Sequence, residues 1–144
     1  MKHIPAIKAV MTPFPYSVDI NAPLRKARKF MSEHGIRHLP VTDQQEIVGV
    51  LTDRDIKLYL GPDLDYPSEN ESIVKEVYMD NPYIVDLNER LDKVLRTMAE
   101  HHIGSVLVTR HGKLAGVFTS TDACKSYAEY LRNHFNPSGG DEAA

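Results

Sequence analysis

Gly49-Val50-Leu51-Thr52-Asp53-Arg54-Asp55 and Gly116-Val117-Phe118-Thr119-Ser120-Thr121-Asp122 are two versions of one stretch, 67 residues apart. In each, a short apolar run closes on Thr-x-x-Asp, the pattern of a strand delivered into a helix start. The likeness extends upstream without a gap. Over the 42 positions from Pro15 to Ile56, 17 are identical at that offset, where chance at average composition gives about two or three. The chain is therefore a tandem duplication, and the fold must be read as two equivalent halves.

Each half divides into the same elements. Tyr16-Ser17-Val18 and Tyr83-Ile84-Val85 follow a proline and predict brief extended pieces. Asn21 and Asn88 stand where a helix N-cap is expected. Leu24, Ala27, Met31 and His34, and then Leu91, Val94, Leu95, Met98 and His101, recur at helical spacing. Two extended runs follow, 38–42 with 47–52 and 105–109 with 114–119, each pair separated by a polar tetrad. A second helix begins at Asp53 or Ser120 and looks longer in the second half, where Tyr127, Tyr130, Leu131 and His134 form a stripe that would cover the partner half or a second subunit. The order per half is βαββα. One such half has a single small sheet with a face to cover, so the two halves must pack together. The expected division is 1–60 for the first repeat, 61–72 for a turn-rich acidic connection, 73–135 for the second repeat and 136–144 for a disordered tail.

Composition narrows the function. The chain has 144 residues, 42% apolar and 26% charged, with nine Pro and eight Gly. That is the profile of a folded protein rather than of a disordered chain, a collagen or a coiled coil. No run of apolar residues is long enough to span a membrane, and the charged start at Met1–Lys8 is unlike a secretory signal, which predicts a cytoplasmic protein. Seventeen basic against 20 acidic residues give a net charge of −3, so no global field favours nucleic acid or anionic lipid. The single cysteine, Cys124, offers no disulfide and is read as a buried, inert thiol. Among the seven histidines, His34 and His101 repeat in the last turn of a helix and lack ligand spacing, so no metal is expected. No nucleophile and base pair, Walker-type loop or metal set supports an enzyme.

The twin Gly-Val-x-Thr-x-x-Asp stretches, the opening Val10-Met11-Thr12-Pro13 and the run His34-Gly35-Ile36-Arg37-His38-Leu39-Pro40-Val41 resemble the cystathionine β-synthase (CBS) domain pair over about residues 7 to 133. The resemblance implies an α+β fold of tandem βαββα repeats packed sheet to sheet with pseudo-two-fold symmetry. It also implies a stand-alone regulatory module that requires no cofactor. Such a module binds an adenosine nucleotide (AMP, ADP or ATP) in clefts between the repeats, forms a homodimer and acts on a regulated protein that the chain does not identify.

The resemblance carries roles to particular residues. Thr52, Thr119 and Thr121 are expected at phosphate, and Asp55 and Asp122 at the ribose hydroxyls, which a carboxylate accepts in pairs. Arg54 stands where the family has a hydroxyl and either engages phosphate or faces solvent. Arg37 and His38 lie where relatives place a basic residue facing phosphate, whereas the second half has Gly104 and Ser105. The cleft near His38 is thus expected to be the more anion-friendly. Adenine is expected against Tyr16-Ser17-Val18 and Tyr83-Ile84-Val85, with Pro40 as a wall. Thr-x-x-Asp is equally a capping box, and Tyr16 and Tyr83 are equally core or rim residues. A ligand-free interaction scaffold, or a sensor of S-adenosylmethionine or NAD, therefore stands beside the nucleotide reading.

Overall fold

A computed structural model describes residues 3–13, 15–61 and 72–135. After a 3-10 turn at Ile7–Ala9 come β1 (Thr12–Pro13), β2 (Val18–Asp19), α1 (Leu24–His34), β3 (His38–Asp43), β4 (Glu46–Thr52) and α2 (Asp53–Leu60). A second 3-10 turn at Val74–Glu76 leads to β5 (Ile84–Asp86), α3 (Leu91–His101), β6 (Ser105–Arg110), β7 (Lys113–Thr119) and α4 (Ser120–His134). The expected connection and tail fall almost wholly outside the described residues.

The duplication is visible in the strand register. β2 runs parallel to β3, with Val18 opposite Val41, and β3 is antiparallel to β4, with His38 opposite Thr52. The second half repeats this with Val85 opposite Val108 and Ser105 opposite Thr119. Even the bulges coincide, between Val41 and Thr42 and between Val108 and Thr109. Both hairpins turn on two residues at positive φ, as a tight turn matching the strand twist requires. His111 and Gly112 sit at 53° and 78°, whereas the first half places two glutamines there, Gln44 at 50° and Gln45 at 69°.

Two expectations about the helices are corrected. Asn21 and Asn88 are not N-caps, because α1 and α3 begin three residues later, after Pro23 and Arg90. Asp19 and Asp86 instead accept from the amides of Asn21 (2.8 Å) and Asn88 (2.9 Å), turning the chain before the helix. No side chain caps either helix. A backbone carbonyl brought from a distant segment does part of that work: Leu24 N donates to Ser72 O and Leu91 N to Pro5 O, both at 2.9 Å.

Those bonds belong to an exchange of segments. The residues ahead of the first repeat pack on the second half: Ile7 is fully buried in the second core, and β1 pairs antiparallel with β7. The residues ahead of the second repeat pack on the first half: Val74 is buried in the first core, and Met79 bridges Val50. The glycine of each repeated stretch marks the crossing. A Cβ at Gly49 would strike the Met79 carbonyl oxygen and approach the Tyr78 ring to 2.6 Å, and one at Gly116 would strike the Met11 thioether and come to 3.0 Å from the Thr12 carbonyl.

Each half has its own core, built around Leu24, Met31, Leu39 and Leu51 in the first and Val94, Met98, Val106 and Phe118 in the second. A third, smaller cluster of Val50, Leu107 and Val117 lies where β4 meets β6 and β7 and joins the two sheets. The strand orders are β2-β3-β4 and β1-β7-β6-β5. Among the described residues the aromatic stripe of α4 covers no core: no residue of α4 is buried, and Tyr127 and Tyr130 are 64% and 51% exposed. Cys124, expected buried, is exposed on the same helix, on the side of its turn away from the core that Ala123 packs against.

Candidate functional site

The two Thr-x-x-Asp turns fold as the sequence predicts and then differ. Thr52 and Thr119 are the N-caps of α2 and α4. Thr52 Oγ1 accepts from Asp55 N at 3.0 Å, and among the described residues no bond returns from Thr52 N to the Asp55 carboxylate. At α4 the box closes. Thr119 Oγ1 accepts from Asp122 N at 3.4 Å, while Asp122 Oδ2 accepts from Thr119 N at 2.9 Å and from the Thr119 hydroxyl at 3.1 Å. Both oxygens of a carboxylate accept, so this cap occupies one side of Asp122 and leaves Oδ1 for a second partner.

These two helix starts are tied to the strand entries of their own halves. Asp53 N donates to Arg37 O (3.0 Å), and Ser120 N donates to Gly104 O (3.1 Å). Arg37 and His38 are thereby fixed at the mouth of β3. Across the packed sheets this mouth faces the start of α4, and the two walls enclose a cleft of about 580 Å³. The first half contributes Tyr16, Arg37, His38 and Pro40, and the second contributes Thr119, Thr121, Asp122 and Lys125. Such a volume lies within the range of roughly 300–1,000 Å³ usual for small-molecule sites.

Aromatic packing fixes the outer wall. Tyr16, half exposed, meets Phe30 edge-on with centroids 4.9 Å apart and His34 at 4.4 Å. His38 lies deeper. Its Nε2 would stand 3.6 Å from a Cβ at Gly104, so the ring reaches across to the other half. Burial lowers its pKa from the ordinary value, against the opposing pull of Asp55, with Arg37 lowering it further and Asp122 raising it. The imidazole thus feels the carboxylates of both repeated turns and, with its pKa lowered by burial, enters the cleft near neutral pH as an uncharged donor and acceptor.

Of the residues singled out from sequence, this cleft gathers Tyr16, Arg37, His38, Pro40, Thr119, Thr121 and Asp122. The others lie outside its lining. Ser17 is exposed, Val18 is half-buried in β2, Thr52 caps α2 with Asp55 beside it, and Arg54 faces solvent. Tyr83 packs against the second core and accepts at its carbonyl from Leu107 N (2.9 Å). Ile84 is exposed on β5, Val85 is in the core, and Ser105 is buried opposite Thr119. Sequence reasoning missed Lys125, one helical turn beyond Asp122, and the β1 residues Thr12 and Pro13. Helical spacing from Asp122 would have found Lys125. Nothing local signals that β1 crosses to the other half.

Among the described residues no helix is long and apolar enough to cross a membrane. The sequence model of the CBS domain matches twice, at residues 7–61 and 74–129. Hypoxic response protein 1 of Mycobacterium tuberculosis is 34% identical over 109 residues, 74% of this chain and 74% of that protein. The solved CBS domain pair of protein MJ0100, in complex with 5′-methylthioadenosine and S-adenosyl-L-methionine, is similar with a TM-score of 0.78 at 24% identity, over 89% of this chain and 99% of that one. CBSX2 of Arabidopsis thaliana in complex with AMP has a TM-score of 0.73 at 21% identity, over 88% and 98% of the two chains. Likeness at that identity establishes a shared fold.

Proposed function

The chain belongs to the CBS domain family, of which it carries two copies, and from that premise we propose that it is a regulatory module whose cleft binds an adenosine nucleotide. The observation that carries this reading is the composition of the cleft. It sets hydroxyls, a carboxylate with one oxygen to spare, a helix start and Lys125 from one half against Arg37 and an imidazole from the other.

A nucleotide fits each part by its chemistry. Asp122 Oδ1 accepts from the vicinal ribose hydroxyls while Oδ2 keeps the cap. Thr121, at the positive end of α4, donates to phosphate, which Arg37 neutralises, while the Thr119 hydroxyl stays on Asp122 Oδ2. The base lies against Pro40 and the Tyr16 wall. Methylthioadenosine, S-adenosylmethionine and AMP, the ligands of the two structural neighbours, share the adenosine that these groups address. In this reading the module is not an enzyme and needs no cofactor. It works in the cytoplasm as a homodimer, through the exposed face of α4, and hands the ligand-induced change to a regulated protein.

Thr52, Arg54 and Asp55 with Tyr83, Ile84, Val85 and Ser105 form the pseudo-symmetric second site of the same proposal. Calorimetric titration with AMP, ADP, ATP, NAD and S-adenosylmethionine tests it. Micromolar binding that disappears in Asp122→Asn supports the reading, and folded protein silent to all five ligands supports the interaction scaffold.

A further inference from the structure

The repeat offset turns the cleft's charges into an internal comparison. Arg37 corresponds to Gly104, His38 to Ser105 and Lys125 to Leu58, so the basic groups of this cleft have no basic counterparts in the other half. Leu58 occupies on α2 the position of Lys125 on α4 and is 71% exposed, an apolar side chain left in water where its twin carries a charge. Among the basic residues at the start of α2, Arg54 faces solvent and Lys57 is held by Asp53 at 2.9 Å. By contrast Arg37 and Lys125, which approach the same cleft from opposite halves, take part in no ion pair among the described residues.

The cleft lining thus holds two uncompensated cations and one carboxylate, and that carboxylate is already committed at Oδ2 to the cap of α4. Building on the nucleotide reading above, we propose that this cleft selects nucleoside polyphosphates, with Arg37 and Lys125 as the specificity-determining pair. A ribose engaging Asp122 is neutral, so it leaves both cations to the phosphate chain. One phosphate reaches the helix start and its hydroxyls, and further phosphates extend between the two cations. Because these are exposed, each adds modestly, and the gain falls with salt. A ligand held by both cations also links the two halves, since one belongs to the mouth of β3 and the other to α4.

The test is a titration series with adenosine, AMP, ADP and ATP, at low salt and without divalent cations, on the wild-type protein, Arg37→Gly and Lys125→Leu. Each substitution installs the residue that the other repeat carries at an exposed position, and thermal unfolding checks that the fold is kept. The expected result is affinity rising with phosphate number in the wild type. Each variant should lose about fivefold for ATP while holding adenosine unchanged, and the double variant should flatten the series. A flat wild-type series overturns the proposal, as does a variant that weakens adenosine and ATP by the same factor. If adenosine and AMP bind through Asp122 without ranking by phosphate, the selectivity fails and the nucleotide reading stands. If none of the four binds, both fall.

Discussion

Asp122 is asked to do two jobs, and two substitutions separate them. Its Oδ2 accepts from Thr119 N (2.9 Å) and the Thr119 hydroxyl (3.1 Å), which closes the capping box of α4. Losing such a cap costs about 1 kcal/mol, a fall in Tm of about 4 °C for a chain of this size. A ribose diol on Oδ1 would add two charge-assisted bonds, worth on the order of 2–3 kcal/mol, or roughly 30- to 150-fold in affinity.

Asp122→Ala removes both contributions, so it lowers Tm and affinity together. Asp122→Asn keeps one acceptor oxygen, which the cap claims, and turns an N–H₂ donor toward hydroxyls that need an acceptor. It is therefore expected to hold Tm within about 1 °C of the wild type while losing at least tenfold in affinity. Thermal unfolding and calorimetric titration on the same three proteins read both quantities. Wild-type affinity in Asp122→Asn would refute the reasoning and leave the carboxylate a helix cap only. Equal loss of Tm in both variants would show that the amide cannot serve the cap, and the partition of the two oxygens would be wrong.

Gly49→Ala should destabilise more than Gly116→Ala, because the added Cβ meets a backbone carbonyl and a ring in the first case and mainly a flexible thioether in the second; urea unfolding of the two variants reads the order, and the reverse order would argue against the clash. Gln45→Gly puts glycine where the second repeat has it and should stabilise by about 0.5–1 kcal/mol, since Gln45 sits at φ 69°; an unchanged denaturation midpoint would show the turn to be unstrained. Ile7→Ala, at a fully buried position, should cost about 2–5 kcal/mol and, by amide exchange, loosen the second half rather than the first; loss of protection confined to α1 and α2 would contradict the exchange of segments. His38, lowered by burial, takes up its proton less readily folded than unfolded, so stability should fall as pH drops below the ordinary histidine pKa and level off below the folded one. His38→Gln should remove that slope, as read by Tm against pH.

The tandem fold was legible because its signals are local or periodic. The offset of 67 pairs β2, α1, β3, β4 and α2 with β5, α3, β6, β7 and α4, and the Thr-x-x-Asp turns name the caps of α2 and α4. Where reading failed, the cause was tertiary. Asn21 and Asn88 looked like caps, yet Leu24 and Leu91 receive carbonyls from Ser72 and Pro5, segments that sequence proximity does not associate with them. Cys124 reads as a buried, inert thiol because no activating base stands near it in sequence, but no residue of α4 is buried and the thiol is exposed. Within the site, Arg37, His38 and Asp122 were recognisable singly. Their meeting in one cleft depends on how two halves oppose, which no single repeat encodes.

That opposition also says where a ligand can act. Each half is held by its own buried core, while the sheets meet through the smaller cluster of Val50, Leu107 and Val117. The angle between halves is therefore softer than either half, and it is limited by the two exchanged segments, which tie residues 7–13 to the second half and 73–79 to the first. A ligand that touches Arg37 on one side and Asp122 on the other favours whichever angle brings both within reach. It can shift the balance only by its differential affinity for the two angles, so a tenfold preference supplies about 1.4 kcal/mol. Shifts of that size suffice where two arrangements are nearly isoenergetic. Enlarging the joining cluster, as Val50→Ile would at a buried position outside the cleft lining, should stiffen the angle and reduce the enthalpy and heat-capacity change of binding more than the affinity. An unchanged heat-capacity change would place the flexible element elsewhere.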